Sequence, residues 1–159
     1  MVAARVVILV LVIAVVAGSS GVLDRGEGPA QTATVTRVVD GDTVVLSGVG
    51  KSRLIGIDTP EVYGGIECYG REASAYAKRL LAGRRVRVRP GAERRDRYGR
   101  ALVYLWLPDG RFVNELLVAG GWARTLEIAP NVRYGAVLRR RAAEARAARR
   151  GLWSRPCDP

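Results

Sequence analysis

Two short acidic segments lie close together in the first half of the chain. The first spans Val38–Val44 and contains two aspartates. The second spans Arg53–Glu61 and contains an arginine, an aspartate and a glutamate. The chain has only fifteen acidic residues against 26 Lys and Arg, and four of the fifteen fall here. Clustered carboxylates suit a hard divalent cation such as calcium or magnesium, and an adjacent arginine suits a phosphate. The two segments therefore predict a metal-assisted phosphoryl-transfer site.

The first segment has two aspartates on either side of a glycine, at Asp40, Gly41 and Asp42. Because Asp-Gly is a common hairpin turn, we expect Asp40 to be a structural turn residue. Asp42 stands at the entrance to the following strand. It is therefore the better candidate metal ligand.

The second segment places polar groups where an apolar strand must end, because Pro60 cannot continue a central strand. Asp58 through its carboxylate and Thr59 through its carbonyl are candidate metal ligands. Glu61 lies further on and can approach a water molecule without being a primary ligand. Arg53 is a candidate phosphate-binding residue. It precedes Asp58 by five residues, which places the two on opposite faces of an ideal strand, so a bend is needed to bring them together.

A third segment, Glu93–Arg100, is rich in arginine and ends in a Tyr-Gly turn signal. Arg100 opens the next predicted strand, where a guanidinium is better positioned than in the middle of a loop. We therefore take Arg100 as a second phosphate-binding candidate. Arg97 and Tyr98, in the same turn, are candidates for substrate contact.

The charge of the chain points to a polyanionic partner. The net charge is +11 and the isoelectric point is about 10.7, which favours nucleic acid or an anionic membrane surface. There is no histidine, which excludes Ser-His-Asp triads and His-based metal sites. A general base must then be a carboxylate or, less easily, Tyr or Lys.

The hydrophobic pattern predicts an α+β fold. Three strands come first, then a helix, two further strands and two helices. A five-stranded sheet of this size is best closed, as an oligonucleotide-binding (OB) type Greek-key barrel with three helices. The predicted strands are Thr32–Val39, Thr43–Leu46, Lys51–Ile57, Arg85–Arg89 (ended by Pro90) and Ala101–Leu107, and the predicted helices are Arg71–Ala82, Val113–Ala119 and Asn131–Arg150. The arginines of the last helix are expected to form a solvated face, with substrate contact as the alternative.

The N-terminus has the pattern of an export signal. Arg5 precedes the apolar run Val6–Ala17, which has the length of a signal-peptide core and is short for a membrane span. An uncleaved membrane anchor remains the alternative. We expect a signal or anchor over residues 1–20, a linker over 21–31, the folded domain over 32–155 and a tail over 156–159. The protein would then be secreted, or held on the outer side of the cytoplasmic membrane.

Export changes the interpretation of the two cysteines, Cys68 and Cys157. In an oxidising compartment a disulfide between them is expected, and it would tie the C-terminal tail to the loop that follows Glu61. The alternative is a pair of free thiols.

The motifs together resemble the staphylococcal nuclease (thermonuclease) family, from about Thr34 to Trp153. Each motif is weak alone, but their order and spacing are specific. The matching stretches are Val39–Thr43, Arg53 with Asp58–Glu61, Tyr69–Ala73, Asp96–Arg100, Val113–Glu115 and Gly151–Ser154.

This resemblance implies a five-stranded barrel with three helices and a calcium-dependent phosphodiesterase that cleaves DNA and RNA to 3′-phosphate products. It also implies roles for individual residues. Asp42, Asp58 and the Thr59 carbonyl would hold calcium, and Glu61 would act as general base on the attacking water. The scissile phosphate would be bound by two arginines, Arg53 and Arg100.

The sequence departs from the family pattern at several places, among them the stretch Arg124–Pro130, the loop Val62–Glu67, which is short and lacks lysine, and the two cysteines. In the first of these the best-known member has two tyrosines that pack on the nucleotide, whereas this chain has Leu126 and Ile128. Two other functions remain open at this stage: a non-catalytic nucleic-acid or protein-interaction module on the same barrel, and a basic membrane-surface protein. We expect a monomer.

Overall fold

A computed structural model describes residues 30–154. The expected Cys68–Cys157 disulfide stays a prediction, because Cys157 lies outside these residues. The same holds for the predicted signal or anchor, for nearly all of the linker and for the tail. Within residues 30–154, no helix is long and apolar enough to cross a membrane.

In chain order the elements are β1 Gln31–Val38, β2 Thr43–Leu46, β3 Gly50–Leu54, β4 Gly56–Asp58, α1 Gly70–Leu81, β5 Arg85–Arg95, β6 Ala101–Trp106, α2 Val113–Ala119, β7 Arg124–Leu126 and α3 Gly135–Ala147.

Five strands close into a barrel in the order β1-β2-β3-β6-β5. All neighbours are antiparallel except β3 and β6, which are parallel. Alternate residues of the strands face inward, so that Val35, Leu46, Val88 and Leu105 are almost completely buried. Closure leaves these strands without a free sheet edge. The predicted α+β fold, a five-stranded barrel with three helices, is confirmed.

The third predicted strand, Lys51–Ile57, is wrong in one respect, because it is two strands. The chain turns at Gly56, which has a φ of 80°, and β4 leaves the barrel to pair with β7. The buried Asn114 secures the bend by donating from its side-chain amide to the Ile55 carbonyl at 2.8 Å. The sequence predicted neither β7 nor its pairing, because a three-residue strand carries no periodic signal of its own.

The predicted end of the fourth barrel strand at Pro90 is also wrong, since β5 continues to Arg95. Pairing between β5 and β1 stops at Val88 with Gln31, whereas pairing with β6 continues through Pro90 and Val103. The missing N–H of proline is therefore not needed by β1. The register of β5 on β6 shifts after Pro90, and irregularities of this kind are where strands accept proline.

The helices lie close to their predicted positions, except that α3 is shorter at both ends than Asn131–Arg150. Asn131 is held by β5 instead, because its side chain accepts from the Glu93 N–H and donates to the Glu93 carbonyl, both at 3.0 Å. At the other end, Arg149 has a φ of 50°, which no α-helix accommodates. Helix α3 packs on α2 and on the strand pair β4 and β7, which lies outside the barrel.

Candidate active site

The turn between β1 and β2 is built around Asp40. Its Oδ1 accepts from the backbone N–H groups of Asp42 at 3.1 Å and Thr43 at 2.7 Å. Gly41 is packed so closely that a Cβ there would lie 2.6 Å from the side chain of Thr59. The predicted structural role of Asp40 is confirmed, and the turn presses against the second acidic segment.

Asp42 is buried and receives hydrogen bonds from both segments. Its Oδ2 accepts from the Thr59 N–H at 2.7 Å and the Thr59 hydroxyl at 2.8 Å, and it lies 2.9 Å from Arg53 Nη1. Burial raises the pKa of Asp42 to about 6, although the Arg53 charge and the Thr59 N–H act in the opposite direction. A cation bound beside Asp42 would stabilise the ionised form of its carboxyl group.

Arg53 joins the two predicted metal ligands. Its Nη1 contacts Asp42 and donates to the Ile57 carbonyl at 2.9 Å, while its Nη2 contacts Asp58 Oδ1 at 2.7 Å. The bend at Gly56 makes this possible, because it lets β4 turn back towards the end of β3. The sequence showed that a bend was needed between Arg53 and Asp58, but it did not show where the bend lies.

The donor set fits a hard cation. Asp42 is buried, whereas the side chain of Asp58 is 51% exposed and uses only Oδ1 on Arg53. No group of three His, Cys, Asp or Glu side chains gathers among residues 30–154. A cation here would therefore rely on two carboxylates, the Thr59 carbonyl and water, which is ordinary for calcium.

Glu61 lies just beyond Pro60, and its side chain is exposed. Its backbone is fixed on both sides: its N–H donates to Glu67 Oε2 at 3.1 Å, and its carbonyl accepts from the Glu67 N–H at 3.0 Å. A Cβ on Gly70 would lie 2.5 Å from the same carbonyl, so the start of α1 packs directly on Glu61. Among the described residues, no hydrogen bond or ion pair ties the Glu61 carboxylate to Asp42, Asp58 or Arg53.

Arg100 is held by Asp96, a residue that the sequence reasoning did not single out. Asp96 Oδ2 lies 2.6 Å from Arg100 Nε, and Oδ1 accepts from the N–H groups of Tyr98 at 3.0 Å and Arg100 at 2.9 Å. Burial acts to raise the pKa of Asp96, but the bonds from Arg100 outweigh it and hold that pKa below its usual value. The sequence signal that could have identified this pair is its spacing, an aspartate and an arginine four residues apart across a Tyr-Gly turn.

The parallel pairing of β3 and β6 brings the two candidate phosphate-binding arginines together. Ser52 is in register with Ala101 and Arg53 with Leu102, so Arg100, which immediately precedes β6, lies two positions from the residue that pairs with Arg53. Both line one cavity of about 490 Å³. Its other side chains include those of Arg97, Tyr98, Leu126 and Ile128.

Tyr98 stands at the mouth of this cavity and is 68% exposed. The guanidinium carbon of Arg97 lies 4.8 Å from its ring centroid and that of Arg100 lies 5.4 Å from it. Arg97 also donates to the Tyr98 hydroxyl at 2.6 Å. An exposed aromatic ring between two cations is suited to contact with a nucleotide.

Comparison with known proteins agrees with this geometry. A family model described as staphylococcal nuclease homologue matches residues 51–155. A thermonuclease of Staphylococcus hyicus is 37% identical over 142 residues, covering 86% of this chain and 82% of the relative. A thermonuclease of Staphylococcus intermedius is 38% identical, covering 76% and 75%. An uncharacterized endonuclease of Escherichia coli O157:H7 is 40% identical, covering 79% and 78%.

Proposed function

The chain belongs to the staphylococcal nuclease family and is a hydrolase that cleaves nucleic acid, and from this we propose that it is a calcium-dependent phosphodiesterase. Its substrates would be DNA and RNA, and its products would carry a 3′-phosphate. The observation that carries the proposal is the single cavity lined by Arg53 and Arg100, with the carboxylates of Asp42 and Asp58 beside it.

Calcium would be held by the carboxylates of Asp42 and Asp58 and by the Thr59 carbonyl. When bound, it would supply positive charge against the negative charge that builds on the phosphate. Arg53 already contacts both carboxylates, so its guanidinium is fixed where a phosphate bound beside them would meet it.

The remaining chemistry falls to three side chains. Glu61 would accept the proton of the attacking water, since the chain has no histidine for this task. Arg53 and Arg100 would donate to the phosphate oxygens, and their planar forks match that geometry better than a lysine does. Because Nε of Arg100 is held by Asp96, the two Nη groups of Arg100 would make these donations.

Contact with the nucleotide would come from Arg97 and Tyr98 at the cavity mouth. The opposite side presents Leu126 and Ile128, which are 41% and 61% exposed. These side chains offer a base an apolar surface but no aromatic ring. We therefore propose that stacking relies on Tyr98.

A plasmid-degradation assay tests the proposal. Purified protein is incubated with supercoiled DNA in calcium, in magnesium and in excess chelator, and product ends are tested for 3′-phosphate by phosphatase-dependent extension. We expect cleavage in calcium and none in chelator. Full-rate cleavage in chelator would remove calcium from the mechanism. Binding without cleavage under every metal condition would make the protein a non-catalytic module.

The location of the protein is a separate proposal. The N-terminal pattern supports export, with the nuclease domain over residues 32–155 acting outside the cytoplasmic membrane, secreted or anchored, as a monomer. A Cys68–Cys157 disulfide would follow from that compartment. Fractionation of the producing cells and thiol titration of the native protein test both points. A cytoplasmic protein with two titratable thiols would contradict them.

A further inference from the structure

The positive charge of the chain is not spread evenly over its surface. The arginines of α3 face acids of the protein itself: Arg141 lies 2.6 Å from Glu115 and 2.8 Å from Glu144, and Arg139 contacts Glu127. Most of these arginines are nevertheless exposed, as the predicted solvated face requires: Arg139 and Arg140 are 60% and 65% exposed, whereas Arg141 is half-buried. Arg139 and Arg141 also hold α3 on the fold, through Glu127 and through Glu115 of α2.

The arginines of β5 are placed differently. Arg85 and Arg87 point outward, while Val86 between them is buried. Among the described residues, no carboxylate lies within ion-pair distance of either guanidinium. This wall of the barrel therefore carries positive charge that the described part of the chain does not balance.

A groove of about 620 Å³ lies next to Arg87. Its floor is aromatic: Trp106 and Phe112 stack with centroids 4.8 Å apart, and Tyr134 meets Trp106 edge-on at 5.6 Å. The guanidinium carbon of Arg87 lies 5.8 Å from the Trp106 centroid. Half-buried aliphatic side chains, including Val137 of α3, form the wall.

We propose that this groove is a second nucleic-acid site, which takes a base of a single-stranded segment outside the catalytic cavity. Aromatic floors receive bases of any sequence through their faces, and neighbouring arginines hold the phosphates on either side. Two further arginines line the groove, but each is paired with an acid, Arg111 with Asp109 and Arg141 with Glu115 and Glu144. Among the described residues, the charge that remains for a phosphate beside the groove is therefore that of Arg87. The inference rests on the nucleic-acid substrate of the proposed function but not on its catalytic residues.

The barrel sets the distance between the two sites. Strand β6 runs from Ala101, next to Arg100, to Trp106 in the groove. Five strand steps span about 17 Å, which equals about five stacked nucleotides at roughly 3.4 Å each. Four bases at this stacked spacing cover about 10 Å and do not reach from one site to the other, whereas sixteen do.

The test measures binding of fluorescein-labelled dT4 and dT16 by anisotropy, in excess chelator and at fixed salt, so that no cleavage occurs. Arg87→Gln is the variant, and Arg85→Gln is the matched control on the same face of the same strand. We expect Arg87→Gln to weaken dT16 binding about fivefold and to leave dT4 binding unchanged. Arg85→Gln should change the binding of either oligonucleotide by less than about twofold, which is the effect expected from the loss of one general surface charge.

A second variant, Val137→Glu, adds an acid to the groove wall and should weaken dT16 binding at least as much. Its binding of dT4 reports that the fold is retained. Equal losses for Arg87→Gln and Arg85→Gln would overturn the proposal, as would no loss for either. So would loss of binding to phosphatidylglycerol vesicles by Arg87→Gln with dT16 binding intact, which would make the groove a membrane contact.

These results are separable from those of the plasmid assay. A protein that cuts nothing but shows length-dependent binding through Arg87 refutes the proposed function and keeps the groove. A protein that cuts normally and binds dT16 no better than dT4 keeps the function and refutes the groove.

Discussion

Replacing Gly56 by alanine tests the bend that brings Arg53 to Asp58. The φ of 80° at this position is unfavourable for any residue with a Cβ, at a cost of about 1–2 kcal/mol. The new Cβ would also lie 2.6 Å from Cδ1 of Leu138 in α3, and overpacking of this kind costs about 1–3 kcal/mol. We therefore expect Gly56→Ala to lower the free energy of unfolding by about 2–5 kcal/mol.

Part of the strain can be relieved by rotation of the Leu138 side chain, and the rest by movement of β4 away from α3. That movement would lengthen the 2.7 Å contact between Arg53 and Asp58. Activity should therefore fall further than stability alone explains. The measurements are urea denaturation and cleavage rate at a temperature where the variant remains folded.

The matched control is Gly110→Ala. Gly110 has a φ of 88°, but a Cβ added there would meet no described atom within 4 Å. It lies in the turn after β6, at the far end of that strand from Arg100. It should show only the backbone cost of about 1–2 kcal/mol and keep full activity when folded. Equal destabilisation of the two variants, with equal activity, would refute the reasoning about the bend.

Three further predictions concern single side chains. Glu61→Gln should lower turnover about 10²–10⁴-fold with little change in urea midpoint, since the side chain is exposed; near-native turnover would contradict the base role. Asp96→Asn should destabilise the protein at pH 7, because the pKa of Asp96 is lower in the folded protein than its ordinary value of 3.8. The stability that this gives is present above pH 3.8 and is lost as the pH falls through the pKa of the folded protein. A difference in unfolding free energy between variant and parent that stayed constant into acid would contradict this. Trp153→Leu should lower the free energy of unfolding by about 1–2 kcal/mol, because the guanidinium carbons of Arg124 and Arg146 lie 5.1 Å and 4.3 Å from the centroid of its ring. An unchanged urea midpoint would count against these cation–π contacts.

The parts of the fold that the sequence predicts correctly are those set by nearby residues. Helix α2 has its predicted bounds, Val113–Ala119, because an apolar face and a following Gly-Gly pair are both local signals. The turn role of Asp40 is local in the same sense, since its carboxylate bonds to groups two and three residues ahead.

The parts that the sequence does not predict depend on contacts between distant residues. Pro90 ends a strand only where a partner needs its N–H, and that depends on where β1 stops. Strand β7 exists because β4 leaves the barrel and pairs with it. The register that sets Arg53 beside Arg100 belongs to a parallel pair, and neither strand carries a mark of it. For the site, residue types and spacing predicted the participants, whereas the family resemblance supplied their convergence.

The one parallel pair in the barrel also divides the site by folding order. Asp42 and Arg53 lie on the β2–β3 hairpin, in which Thr43 pairs with Arg53, so a short loop closure brings them together. Arg53 and Arg100 are 47 residues apart, and only the docking of β6 on β3 makes them neighbours. Long-range pairings of this kind form late, because the chain entropy of the intervening loop must be lost first. The contact between Asp42 and Arg53 can therefore form in a partly folded chain. Asp58, which β4 carries onto β7, and the pair Arg53 and Arg100 are placed only when the long-range pairings have formed.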